Sequence, residues 1–226
     1  SRLFVATYVY KLPLLLMGIG VDPIKSRFGR WLCKLVLSKA QKIVVRDLFS
    51  RECLIDLGLG DRTEVTADLV LSSDVAKYEC EPEKVININL RPLAQAKRFM
   101  PMSMRSHGYE SSDMVLLAEA FDEIHRDTGY ELRFLSFEEG RDDVAAAEIM
   151  QRMNYQDADI VNVTYDDAIE WLSRGAYTIA TRYHAGICSV IAGRPTVLIG
   201  YSPKVVSLAE ALPHSTRLVE NNTKGY

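Results

Sequence analysis

Apolar positions alternate along the chain between short unbroken runs and stretches spaced for one face of a helix. Leu12–Met17 is a short apolar run closing in Gly18-Ile19-Gly20, which predicts a buried strand ending in a tight turn. Ser26–Ala40 carries Phe28, Trp31, Leu32, Leu35 and Val36 at helical spacing, with Ser26 placed to cap the helix. Ile43–Val45 is β-branched throughout and predicts a second strand. Asp47–Leu57 predicts a helix stopped by Gly58, and Glu64–Leu71 predicts a third strand. Strand, helix, strand, helix, strand is the pattern of a parallel sheet.

Ser72–Lys84 is polar, contains Pro82 and reads as a linker. The pattern then restarts with a strand at Val85–Leu90. Pro92–Ser112 shows no periodicity, carries Lys97, Arg98, Arg105 and His107, and reads as a long functional loop, a mobile flap near a pocket. Helices are predicted at Asp113–Thr128, Asp142–Met153, Asp166–Arg174 and His184–Ala192, and from Ser202-Pro203 onward. Strands are predicted at Leu132–Phe137, Ile160–Val163, Tyr177–Thr181, Thr196–Ile199 and Thr216–Val219. The chain therefore divides into a partial Rossmann-like domain at 1–74, a linker at 75–84 and a second Rossmann-like domain at 85–226. Ligands of such sheets sit outside the carboxyl ends of the strands, so Leu90 and Thr181 are expected to face one cleft.

Composition narrows the function classes. The 226 residues suffice for one large or two small domains, and 48% hydrophobic with 25% charged residues excludes disorder. A net charge of −3 excludes a broad nucleic-acid footprint and leaves room for a local basic pocket. The four cysteines form no CxxC pair or zinc spacing, so neither a disulfide framework nor a metal site is indicated, and a reducing compartment is expected. Leu12–Val21 is too short to span a bilayer, and no signal peptide is visible. From Ser1 in place of Met and the polar end at Asn221–Tyr226, the chain is expected to be a piece of something longer.

The strongest local signal is Thr181-Arg182-Tyr183-His184-Ala185-Gly186, a cation and an imidazole where a strand gives way to a helix. The free N–H groups and partial positive charge of a helix start make this a natural anion site. The plainer alternative pairs Arg182 with a surface carboxylate and leaves His184 to cap the turn. Cys188, one turn on, lies in an apolar stripe and reads as core. Arg91 follows a strand in which Asn87 and Asn89 share one face; their partners are either loop backbone or ligand. Lys204 falls in a first helical turn, where the dipole disfavours a cation, so either an anion lies nearby or the side chain snorkels. Gly18-Ile19-Gly20 lacks the third glycine of a dinucleotide fingerprint, and Asp47 and Ser50 read as helix caps.

Taken in order, these segments resemble the polysaccharide pyruvyl transferase family. The resemblance rests on Gly18-Ile19-Gly20 with Pro23-Ile24, Val45-Arg46-Asp47 with Ser50, and Thr66-Ala67-Asp68. It continues through Ile88-Asn89-Leu90-Arg91, Arg182-Tyr183-His184, and Gly193-Arg194-Pro195 leading to Tyr201-Ser202-Pro203-Lys204. The resemblance implies a GT-B-like pair of Rossmann-type domains with parallel sheets, the first incomplete and the second, donor-binding one truncated at its C-terminus. It implies transfer of the enolpyruvyl group of phosphoenolpyruvate onto hydroxyls of a glycan or lipid-linked saccharide, giving a pyruvate ketal and phosphate. The family's glycine-rich N-terminal segment has no counterpart here. His184 is implied as the catalytic acid–base group, and Arg91, Arg182, Lys204 and Asn89 as phosphoenolpyruvate-binding residues. The scheme needs no metal and no cofactor besides the donor substrate. It implies a cytoplasmic enzyme, at the inner face of the membrane and in peripheral contact with it where the acceptor is lipid-linked, with no nucleic-acid partner. Two other readings stay open on the same scaffold, a nucleotide-sugar glycosyltransferase and a non-catalytic anion- or glycan-binding module.

Overall fold

The computed structural model describes residues 2–74, 78–92, 111–200 and 202–220. They form two compact units divided between Ser73 and Asp74. The flap expected at Pro92–Ser112 lies outside the described residues, except that Arg91 and Pro92 lead out of a strand and Ser111 and Ser112 open a helix.

In the first unit a short turn of helix, α1 (Arg2–Phe4), precedes β1 (Leu14–Ile19), α2 (Arg27–Leu37), β2 (Ala40–Val45), α3 (Leu48–Asp56) and β3 (Thr63–Val65). The strands form a parallel sheet in the order β1-β2-β3. Ser26 caps α2 by accepting from the Gly29 N–H at 2.9 Å, and Asp47 caps α3 by accepting from the Ser50 N–H at 2.6 Å. Gly58, at φ 73°, turns the chain out of α3 in the left-handed conformation that glycine adopts without strain. Leu14, Val36, Leu37, Ile43, Val45 and Leu54 make the core. Two expectations change here. The strand expected at Glu64–Leu71 stops at Val65, because Asp68 accepts from the Val70 N–H and starts a 3₁₀ turn at Leu69–Ser72. Phe28 and Trp31, apolar at helical spacing, turn outward while Leu32, Cys33, Val36 and Leu37 face the core.

The second unit runs β4 (Glu83–Asn89), α4 (Ser111–Thr128), β5 (Glu131–Ser136), α5 (Asp142–Met150), β6 (Asp159–Asn162), α6 (Ala168–Arg174), β7 (Gly175–Ala180), α7 (Tyr183–Ile191), β8 (Thr196–Gly200), α8 (Pro203–Ala211) and β9 (Thr216–Glu220). All six strands are parallel, in the order β6-β5-β4-β7-β8-β9. This is the doubly wound arrangement: the chain steps outward from β4 to β6, crosses back, and steps outward again from β7 to β9. Ile86 and Ile88 of the central strand, with Leu90 just beyond its end, pack with Met114, Phe121 and Phe134, and Asn87 and Asn89 occupy the alternate positions. Asn87 is fully buried because its amide donates to the carbonyls of Trp171 and Leu172 at the end of α6, whose last carbonyls lack helical partners. Gly175 is glycine for the same reason, since a Cβ there would stand 2.3 Å from Asn87 Nδ2. No helix among the described residues is long and apolar enough to cross a membrane.

Candidate functional site

In the first unit the strand ends are tied together by the residues that carry the resemblance. Arg46, after β2, pairs with Asp68 at 2.9 Å and with Asp47 at 3.4 Å. Its guanidinium lies over Gly20, where a Cβ would stand 2.8 Å away. The Ser50 hydroxyl accepts from the Val21 N–H at 2.8 Å. Gly18, at φ 61°, lies under Leu69, so both glycines serve close packing. Asp47 is the cap that the sequence indicates, and Ser50 instead holds the loop after β1.

In the second unit the strand order reverses between β4 and β7. A doubly wound sheet opens its ligand crevice at that point, and Asn89, Arg91 and Arg182 stand at the ends of the two strands that flank it. Asn89 ends β4, fully buried, and all its amide bonds go to protein. Its Nδ2 donates to the Leu135 carbonyl at 2.9 Å and to Asp142 at 3.3 Å, and its Oδ1 accepts from the Arg182 N–H at 3.2 Å. Arg91 is anchored through its backbone N–H, which donates to the Thr181 hydroxyl at 2.6 Å, and that hydroxyl donates to the Asn89 carbonyl at 3.2 Å. Leu90 and Thr181 thus lie side by side at the carboxyl ends of adjacent strands.

Arg182 has the partner that the plainer reading supposes, but a buried one. Asp142, whose side chain is 1% exposed, takes Arg182 Nε at 2.7 Å and Nη2 at 2.6 Å. Glu138 takes Nη2 at 2.7 Å and Arg141 at 2.5 Å. Nη1 is the donor nitrogen of Arg182 that these bonds do not use. Asp142 also accepts from the Phe137 N–H at 3.1 Å, so one carboxylate joins the loops after β4, β5 and β7. Sequence reading missed Asp142 and Glu138. Asp142 gives one signal, a carboxylate in the first turn of a helix that follows a strand, which reads equally as an ordinary helix start, and Glu138 lies in the loop before that helix.

His184 is the second residue of the nine-residue α7 and is exposed, with the Tyr183 ring edge-on at 5.5 Å. Lys204 is the second residue of α8, half-buried, one strand further along the same edge. Neither α7 nor α8 has a side-chain cap at its N-terminus, which leaves both helix starts suited to an anion. Cys188 is buried in α7, as its apolar neighbours indicate. Among the described residues no three His, Cys, Asp or Glu side chains gather as metal ligands do. A cavity of about 500 Å³ lined by Cys80, Glu170 and Arg174 lies at the amino ends of the strands, away from this site.

Burial alone would lower the Arg182 pKa, but the hydrogen bond and charge of Asp142, then those of Glu138, outweigh it and hold the guanidinium charged. Burial would raise the Glu138 carboxyl, but Arg182 and Arg141 prevail and hold it below its ordinary value. A depressed carboxylate stabilises the folded protein above its unfolded pKa, and that contribution is lost as pH falls through the folded value. Between about pH 6 and about pH 3 the melting temperature is therefore expected to fall more steeply for the wild type than for Glu138→Gln. Parallel melting curves would show that the pair is not coupled to folding.

The family model for polysaccharide pyruvyl transferase matches residues 2–203. The chain belongs to the polysaccharide pyruvyl transferase family. None of the curated proteins matches it significantly. Among solved structures the chain is similar to HepE of Anabaena in complex with UDP-glucose, at 12% identity and a TM-score of 0.65, over 96% of this chain and 61% of that one. It is similar to UDP-GlcNAc 2-epimerase of Methanocaldococcus jannaschii, at 12% identity and a TM-score of 0.58, over 97% and 62%. A glycosyltransferase of Rickettsia africae follows at 12% identity and a TM-score of 0.57, over 92% and 56%. These likenesses show the fold, the GT-B-like α/β type with parallel sheets. The chain spans about three fifths of the length of these structures.

Proposed function

We propose that the protein transfers the enolpyruvyl carbons of phosphoenolpyruvate onto two hydroxyls of a glycan or lipid-linked saccharide. Both hydroxyl oxygens bond to C2 of the donor and the bond from C2 to the phosphate oxygen breaks. One hydroxyl proton ends on the methylene carbon, which becomes a methyl group, and the other leaves with phosphate. The observation that carries this reading is the gathering of Arg91, Arg182 and His184 at the reversal of strand order, in a chain of this family. The donor presents a phosphate and a carboxylate, which guanidinium groups and uncapped helix starts suit. Arg91 and Lys204 supply charge, Arg182 supplies Nη1, and Asn89 holds the Arg182 backbone in place. His184 moves the proton, the role an imidazole fills near neutrality. The reaction is placed in the cytoplasm, at the inner membrane face where the acceptor is lipid-linked.

HepE was solved with UDP-glucose, so a nucleotide-sugar reaction is the second reading. Phosphate release from phosphoenolpyruvate with candidate glycans, run beside turnover of nucleotide sugars, separates the two, and neither activity would leave a binding module. Arg91→Ala and Lys204→Ala are each expected to weaken donor binding by about 1.5–3 kcal/mol, the worth of a charge-assisted hydrogen bond. Unchanged donor affinity in the Arg91 variant would remove that residue from the site.

A further inference from the structure

In a chain of net charge −3, the stretch from Pro23 to Arg46 holds seven lysines and arginines and no carboxylate. Three of the seven are held by acids from elsewhere, Arg30 by Asp56, Lys42 by Glu64 and Arg46 by Asp68. Lys25, Arg27 and Lys34 are exposed and make no ion pair among the described residues. Arg27 and Lys34 flank Trp31 on α2, one turn before it and one turn after. Trp31 is 58% exposed and Phe28 is 70% exposed, their rings 5.8 Å apart. The opposite side of the helix is satisfied by the core through Leu32, Cys33, Val36 and Leu37. An aromatic ridge alongside a cationic one thus faces away from the core of this unit.

We propose that this face of α2 rests on an anionic phospholipid surface. Cations alone would suit any polyanion. The adjoining tryptophan and phenylalanine select a boundary that is negatively charged outside and apolar just beneath, which is a bilayer interface. The basic side chains reach the headgroups while the two rings enter the boundary between headgroups and acyl chains. The proposal concerns the first unit alone and does not depend on the donor chemistry assigned to the second, so either stands if the other fails.

The test is sedimentation with vesicles of equimolar phosphatidylcholine and phosphatidylglycerol, against vesicles of phosphatidylcholine alone. The protein is expected to sediment with the anionic vesicles at low salt and to be released at high salt. Its fluorescence is expected to shift to the blue with them, a shift that Trp31→Ser abolishes. Arg27→Gln and Lys34→Gln are each expected to weaken binding about fivefold, and Phe28→Ser with Trp31→Ser by about tenfold or more. All four side chains are exposed, so the variants are expected to melt like the wild type. Absence of sedimentation with anionic vesicles, or equal binding to neutral ones, overturns the proposal. It is equally overturned if the Phe28→Ser, Trp31→Ser variant loses melting temperature or changes oligomeric mass without any vesicle binding by the wild type, because the face then belongs to a protein contact.

Discussion

His184→Ala is expected to lower turnover about 10²–10⁴-fold while donor binding changes far less, the range for loss of a positioned general acid or base. His184 stands on the first turn of α7, exposed beside the ring of Tyr183, where β7 gives way to helix. The proposed ketal formation would deliver a proton to carbon and take protons from two attacking hydroxyls, which calls for a group that can hold a proton near neutrality. The arginines have no such freedom, because a guanidinium stays charged at any working pH. Loss of His184 should therefore appear in turnover, whereas loss of Arg91 should appear in donor affinity. The measurement is steady-state phosphate release with phosphoenolpyruvate varied at saturating acceptor, in a form of the protein whose activity has been established. Wild-type turnover in the alanine variant would leave the site standing and remove His184 from proton transfer.

Asp142→Ala is expected to cost about 3–5 kcal/mol of stability, the range for removing one partner of a buried ion pair. Its carboxylate is nearly inaccessible and takes two donors of Arg182, the Phe137 N–H and the Asn89 amide. Without it the Arg182 guanidinium, whose side chain is 18% exposed, keeps Glu138 alone among the described residues, and Glu138 is shared with Arg141. Asn89 at the same time loses a partner in the sheet interior, and a buried amide left short of hydrogen bonds is itself costly. Urea denaturation of the wild type and the variant measures the difference as a shift of the midpoint at unchanged slope. A loss under about 1 kcal/mol would mean that the loop after β5 relaxes and lets water replace the carboxylate.

The parallel α/β type, the helix caps at Ser26 and Asp47 and the stop at Gly58 follow from residues close together in the chain. Each depends on periodicity, a cap or a permissive φ, and all of these act over a few positions. The site is legible to the same depth. That Arg91, Arg182, His184 and Lys204 follow strands can be read from the sequence, and so can the family resemblance carried by the ordered segments. Which strands are neighbours cannot, because β4 meets β7 only after the chain has gone out through β5 and β6 and crossed back. That crossing brings Asn89 beside Arg182, and it brings Arg182 onto Asp142, 40 positions earlier in the chain. The same limit hides the outward turn of Phe28 and Trp31, since helical spacing shows that apolar residues share a face but not which face the sheet will cover. Local sequence thus determined the elements and the chemical groups at their ends. Only the tertiary structure decided that one of those groups, Arg182, meets a buried carboxylate, because desolvation and ion pairing depend on residues the chain brings together from far apart.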